Sequence, residues 1–456
     1  MAIHQVSISM RIITPKARHA LAFSVAIVLC ACNRGEKAAP AAADSTAAIA
    51  SCAGNNGGLT LPDGFCAAIF ADSLGHVRHL VVAGNGDVYV NTSSGDGQTS
   101  SAPFLVALRD TNRDGRADVI ARFGDSVASG GAGGTGIAVY HGAVFAEAKD
   151  RIVRFAMDSG WVPKGAPATV VSGLPLTGDH TAHPFAIDSA GNLFVNLGSA
   201  TNSCQVKNRT LHSPGVSPCT ELETRGGIWR YDANKTDQRF SSAERYATGI
   251  RNAVGIAIDP HGQLYSTQHG RDQLSENWPK LYTAQQGADL PAEELLKIQK
   301  VGDYGWPTCY FDSTQKKLVL APEYGGDGGK KVGVCASKIE PAAYFPAHWA
   351  PNALTFYNGS QFPQKYREGA FIAFHGSWNR APLPQEGYRV VFVPFAGGSP
   401  NGAWETFANG FAGAAQPQPT TAKHRPAGLA VAPDGSLYIG DDVSGRIWRV
   451  TYKGSK

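Results

Sequence analysis

Two histidines, His180 and His183, stand in the segment GDHTAHPFAID, directly ahead of an apolar run with the look of a β-strand and turn. A neutral imidazole can take a proton from a hydroxyl near pH 7, whereas a lone histidine in a turn is an ordinary structural residue. What stands at the matching places elsewhere decides between these. Arg78 with His79, Thr135, Arg251 with Asn252, Asn352, and His424 with Arg425 all lie at the start of similar apolar runs. That set is rich in guanidinium and imidazole and poor in carboxylate. Brought to one place, it would suit an anionic ligand, because guanidinium groups bind carboxylates bidentately.

The elements that must gather these residues repeat six times. HLVVAGNGDVYV, GIAVYHGAVFAE, PFAIDSAGNLFVN, VGIAIDPHGQLYST, ALTFYNGSQFPQKYREGAFIAF and AGLAVAPDGSLYIG each read as strand, tight turn, strand. GGIWRYDA, RVVFVPFA and GRIWRVTY add outer strands to the same units. A lone hairpin cannot bury its apolar face, but sheets repeated around a central channel can. The sequence therefore predicts an all-β protein: a six-bladed β-propeller over residues 59–452, with LTLPDGFCAAIFADSL as the strand that closes the ring on the last blade. First strands line the channel, so the residues named above should meet at one end of it. One short inserted helix is expected in DLPAEELLKIQK, with Asp289 as cap, Pro291 in the first turn and Leu295, Leu296 and Ile298 as the apolar face. Asp110, Asn112 and Asp114 before Gly115 suggest a calcium loop, but Ala121 stands where such a loop needs a bidentate glutamate. A solvated hairpin tip is the expectation there.

The first 31 residues carry Arg11, Lys16 and Arg18 ahead of an apolar run from Ala20 to Ala31 that ends in Leu29-Cys30-Ala31-Cys32. This reads as a lipoprotein signal peptide with Cys32 as the acylated residue, followed by a flexible tether over 32–58, which predicts a periplasmic, lipid-anchored protein. Asn33 after the cysteine suits the outer membrane. The leader holds three of the chain's 41 basic residues and none of its 37 acidic ones, so the remainder of the chain is nearly neutral. Such a balance argues against a nucleic-acid partner. Six further cysteines in an exported chain favour disulfides, with local pairing of Cys52–Cys66, Cys204–Cys219 and Cys309–Cys335 the simplest scheme.

GDHTAHPFAID, GIRNAVGIAID, TQHGRDQLSENWP, GDYGWP and HRPAGLAVAPDG, in this order, resemble the glucose/sorbosone dehydrogenase family, whose soluble-type members use pyrroloquinoline quinone (PQQ). FHGSWNRAP is similar to its sorbosone-dehydrogenase-like bacterial branch, and pyranose dehydrogenases share the propeller. The resemblance implies PQQ- and calcium-dependent oxidation of a sugar or aldehyde at the anomeric hydroxyl. Hydride would pass to C5 of PQQ, and electrons to an external quinone, cytochrome or dye. It implies His180 as general base, and Arg251 and Asn252 on the quinone and carboxylate side of PQQ. Arg425 would pair with a PQQ carboxylate, and the carbonyls of Gly270 and Arg271 would ligate calcium. Tyr304 and Trp306 would form a wall of the site. The chain departs from the family at Arg271, where the glucose enzymes have proline, and at Ala427, where they carry a second arginine. His375 or Arg380 would take the place of their lysine. A calcium-dependent lactonase or other hydrolase, or a non-catalytic surface-anchored interaction propeller, are the alternative readings on such a fold.

Overall fold

The computed structural model describes residues 54–93, 103–126, 134–157 and 160–454. Among the described residues, strands gather into six blade sheets in chain order, with a separate hairpin of Cys309–Asp312 and Lys317–Leu320 in the insertion of the fourth. Blade 1 holds His76–Val82, Val88–Ser93, Pro103–Arg109 and Val119–Ser126. Blade 2 holds Ile137–Tyr140, Ala143–Ala148, Arg151–Ala156 and Ala168–Ser172, with Gln238–Arg239 added in parallel at its edge. Blade 3 is Phe185–Ile187, Asn192–Leu197, Gly227–Asp232 and Arg245–Thr248, and blade 4 is Ile256–Ile258, Leu264–Gln268, Glu293–Lys297 and Ala343–Phe345. Blade 5 is Pro351–Phe356, Gly369–Phe374, Arg389–Ala396 and Glu405–Ala408, with Ser399–Pro400 beside it.

Blade 6 closes the ring as the sequence predicts. Its inner strands are Pro426–Val431, Leu437–Asp441 and Ile447–Tyr452, and its outermost strand is Phe65–Ala71 from the start of the chain. The first strands of all six blades touch in order around the axis, and the first touches the last. Apolar alternation fills the wedges between neighbouring blades. Val88, Val90, Val106 and Leu108 of blade 1, for example, pack against Phe70, Tyr438 and Ile447 of blade 6. Five more clusters fill the other interfaces.

The Asp110–Asp118 segment is the expected tip, joining two strands of blade 1, with both Asp110 oxygens accepting backbone N–H groups of Asp114 and Gly115. Disulfides Cys204–Cys219 and Cys309–Cys335 pair as expected. Cys66 is disulfide-bonded too, and its partner lies outside the described residues. So do the segments expected as signal peptide and as most of the tether. The end of the tether is docked: Asn56 Oδ1 accepts the Ala67 N–H and the Gly57 carbonyl accepts Trp448 Nε1.

The expected helix is a strand. Glu293–Lys297 pairs with Leu264–Gln268 on one side and Ala343–Phe345 on the other. Among the described residues, two short α-helices lie just before it, at Leu274–Asn277 and Ala284–Asp289, the second capped by Thr283. Leu295, Leu296 and Ile298 fit either period, and sheet pairing on both edges decides it.

Candidate functional site

His180 ends the loop that leads into blade 3. Its Nδ1 lies 2.9 Å from the Ser199 carbonyl and 3.0 Å from Ser199 Oγ, and that hydroxyl donates to the Thr201 carbonyl at 2.7 Å. Both Ser199 oxygens therefore accept from Nδ1–H, which leaves Nε2 with a free lone pair. Burial, then the nearby Arg251 charge, holds the imidazole pKa well below its usual value, so the ring is neutral at pH 7. Gly198 permits this closeness: a Cβ there would stand 2.6 Å from the His180 Cβ.

Arg251, 3 % exposed, has every nitrogen engaged. Nε donates to the Asn202 carbonyl at 3.0 Å, Nη1 to the Gly270 carbonyl at 2.9 Å, and Nη2 to Asn202 Oδ1 and Asp272 Oδ2, both at 3.0 Å. Asp272 also accepts Arg209 Nη2 at 3.1 Å and Asn379 Nδ2 at 2.8 Å. Burial works to raise its pKa, but Arg251, His348 and Arg209 together outweigh that and bring it down to about 2. Asn252 follows, 8 % exposed, with its carbonyl accepting the His269 N–H.

A second group continues from the first. Asp442 Oδ2 accepts Arg78 Nη1 and His375 Nε2, each at 2.7 Å. Arg425 donates to the carbonyls of His375 and Gly376 at 3.0 Å and lies 5.9 Å from the Tyr388 ring centroid. His269 feels both His180 and His375 electrostatically, so the two groups face each other. Burial drives His79 down to about 4 and His269 to about 3. Arg78 and His79 are aimed by a β-bulge in the inner strand of blade 1, where the register shifts between Val77 and Leu80.

Other expected members go elsewhere. His183 is 1 % exposed and points away: its Nε2 meets the Pro175 carbonyl at 2.9 Å and its N–H reaches Glu147 Oε1 at 2.7 Å. Glu147 also accepts Thr135 and Gly136 N–H groups, so the expected mouth residues His183 and Thr135 pin blade 2 to blade 3. His424 turns into blade 6, 2.9 Å from Asp441 Oδ2 and edge-on to Trp448. Arg380 donates to the carbonyls of Ala288, Ala347 and Pro384, which ties loops together and leaves it away from the Arg425 group. Tyr304 is buried between blades 3 and 4, its hydroxyl on the Lys297 carbonyl. Trp306 does reach the site, donating Nε1 to the Asn202 carbonyl that also holds Arg251, and it lines a small cavity with Gly270 and Glu294.

The expected metal donors are differently disposed. The Gly270 carbonyl accepts a guanidinium N–H, and the Arg271 side chain is buried against Glu323, 2.5 Å from Oε1. Among the described residues no group of three or more His, Cys, Asp or Glu side chains could hold an ion. A divalent cation on that carbonyl would stand against Arg251, a like-charge contact. Asp272, Asp442, Arg209, His269 and Asn379 were not marked as site residues by sequence reasoning. HGRD and HGSWNR contain His269, Asp272 and Asn379, but nothing in those strings says which side chains turn inward.

Similar proteins agree with this architecture. An uncharacterized protein of Borreliella burgdorferi is 29% identical over 289 residues, covering 60% of this chain and 61% of that one. A PQQ-dependent pyranose dehydrogenase of Coprinopsis cinerea is 29% identical over 241 residues, 44% of this chain and 30% of the enzyme. The chain thus spans less than two thirds of the length of these relatives. The holo PQQ domain of that pyranose dehydrogenase superposes with TM-score 0.67 at 20% identity, covering 86% of this chain and 97% of the domain. The calcium structure of a Trichoderma reesei AA12 enzyme gives 0.69 at 20%, over 87% and 97%. The soluble aldose sugar dehydrogenase of Escherichia coli gives 0.56 at 18%, over 85% and 99%. At such identities these structures carry the fold. The TrAA12-like family profile matches residues 59–453, the whole propeller, and the chain belongs to that family.

Proposed function

We propose that this protein is a PQQ-dependent dehydrogenase that oxidises the anomeric hydroxyl of a sugar, or a related aldehyde, and passes the electrons to an external acceptor. The observation that carries this reading is His180: a half-buried, neutral imidazole with its proton fixed on Nδ1, its Nε2 free, and the Arg251 charge within reach. The donor set suits a planar tricarboxylate, because Arg78, Arg251 and Arg425 bring three guanidinium groups to one end of the ring.

When bound, PQQ supplies the two-electron acceptor for the hydride that leaves the anomeric carbon. His180 Nε2 accepts the hydroxyl proton as that hydride departs, a contribution of roughly 10²–10⁴-fold for a positioned base. Arg251 offers fixed positive charge where negative charge gathers, and its orientation is set before substrate arrives by Asp272, Asn202 and Gly270. Asp272 prevents the guanidinium from swinging, since each of its oxygens is held from a different loop. No step is assigned to calcium.

Addition of PQQ to the purified protein, with and without calcium, followed by a dye-linked assay over aldoses and aldehydes, tests the reading. Turnover should appear with PQQ, and calcium should change PQQ affinity by less than about threefold. His180→Gln should bind PQQ normally and lose at least about 10² in kcat. The acid limb of wild-type kcat/KM should lie well below pH 6.5, since the base titrates low. Normal turnover in His180→Gln would sink the base assignment, and a strict calcium requirement would return the Gly270 carbonyl to the metal. We place the protein in the periplasm, lipid-anchored through Cys32, on the strength of the LCAC stretch. Cys32→Ser should then leave the membrane fraction, and a variant still found there would refute the anchor.

A further inference from the structure

Trp378 is 56 % exposed, and among the described residues it is the only aromatic side chain on the surface to that degree. A single exposed indole is ordinary on a protein surface, so its setting decides what it can do. Its position is tightly set. His375, three residues earlier, bonds Asp442; Gly376 offers its carbonyl to Arg425; Asn379, one residue later, bonds Asp272. Both halves of the site therefore hold the loop that carries Trp378. Gly376 has φ +100° and a Cβ there would stand 2.2 Å from the Tyr388 ring, so the turn is closed against that tyrosine.

The return side of the same loop borders a groove. Ser377 exchanges hydrogen bonds with Glu386, its N–H on the Glu386 carbonyl and its Oγ accepting the Glu386 N–H, each at 2.8 Å. From Glu386 the groove runs past Tyr388 and Arg389 to Asn409 and the peptide groups of 410–415, with a volume of about 470 Å³. Tyr388, which faces Arg425, is shared by the site and the groove. An exposed indole next in sequence to Ser377, whose partner Glu386 lines a groove that also holds Gln385, Arg389 and Asn409, matches a pyranose chain. Such a chain shows apolar C–H faces to the ring and hydroxyls to the polar wall.

We infer that Trp378 and the adjoining groove bind the second and third units of a sugar chain whose end enters the site, so that oligosaccharides are preferred to free monosaccharides. This rests on the sugar-oxidising reading above and names its substrate class. The loop is rigid before ligand arrives, so little ordering cost opposes binding.

Isothermal titration of the full protein without added cofactor, using maltotriose, cellotriose and xylotriose against glucose and xylose, tests it. At least one trisaccharide should bind about tenfold or more tightly than its monosaccharide. Trp378→Ala should erase that advantage and Trp378→Phe keep part of it, with unchanged circular dichroism. In the dye-linked assay the same variants should raise the trisaccharide KM rather than lower kcat. No preference for any trisaccharide, or a preference that survives Trp378→Ala, would overturn the inference. So would a variant that changes only the acceptor's KM, which would turn this face toward a protein partner. Because binding is read without PQQ, failure of PQQ uptake would count against the enzymatic reading alone.

Discussion

Ser199 leaves His180 Nε2 as its basic nitrogen by accepting a hydrogen bond from Nδ1–H, and Glu147 gives His183 a different task three residues on. The family resemblance singled out His180 in GDHTAHP and expected His183 at the channel mouth beside it, but spacing does not say which backbone oxygen each ring will find. Glu147 is the group that separates them. Burial works to raise its pKa, yet His183 and the backbone N–H groups of Gly136 and His183 outweigh that, so it stays ionised. Breaking this knot should therefore cost stability and spare cofactor binding. Glu147→Ala strands three buried N–H groups and should lower stability by about 3 kcal/mol or more, and His183→Ala by about 1–3 kcal/mol. Urea denaturation together with PQQ titration checks this, and a His183→Ala protein of full stability but weak PQQ binding would return His183 to the site. Arg380 was misread for a similar reason: an arginine in a loop near a site has carbonyl oxygens to satisfy as well as anions, and here Ala288 and Ala347 claim it.

At the level of elements, the hairpins were legible because period-two alternation next to Gly-containing turns has few other solutions. The segment Glu293–Lys297 was not. Asp289 and Pro291 imitate a helix start, and two successive glutamates look like a solvated face. Both glutamates are in fact buried, and Glu293 accepts N–H groups of Gly270 and Ala350, which join the loops after blade 4's second strand and before blade 5. Burial pushes both carboxyls up to about 8. Long insertions position several site residues that sequence patterns left unmarked. Arg209 lies inside the Cys204–Cys219 loop and reaches Asp179 and Asp272, so that the disulfide holds a cation over the His180 approach.

Across the whole molecule, the ring shields histidines near its axis, and these give the fold one acid-sensitive contribution to its stability. His79 and His269 have folded pKa values of about 4 and about 3 against 6.5 unfolded. Below pH 6.5 the unfolded chain binds more protons than the native one, so this stability is complete above 6.5 and is lost as pH falls toward the folded values. His79 alone contributes roughly 3 kcal/mol across that window. Glu293 and Glu294, with folded values of about 8, act in the opposite sense over the same range, so the histidine contribution is read by comparison: His79→Gln should remove part of the loss of stability between pH 6.5 and pH 4, and a variant whose midpoints track the wild type throughout that range would contradict the shielding of this ring.

The closure of blade 6 also fixes an order of events in time. Phe65–Ala71 is among the earliest-made strands, yet its partner Ile447–Tyr452 is among the last. Until synthesis is nearly complete, the opening strand has nothing to pair with and its edge is open to other chains. The contacts that finish the ring span almost the entire chain, which makes assembly slow and late. A nascent chain stalled before residue 447 has every site residue in place along its length and no means of locking the circle that brings them together.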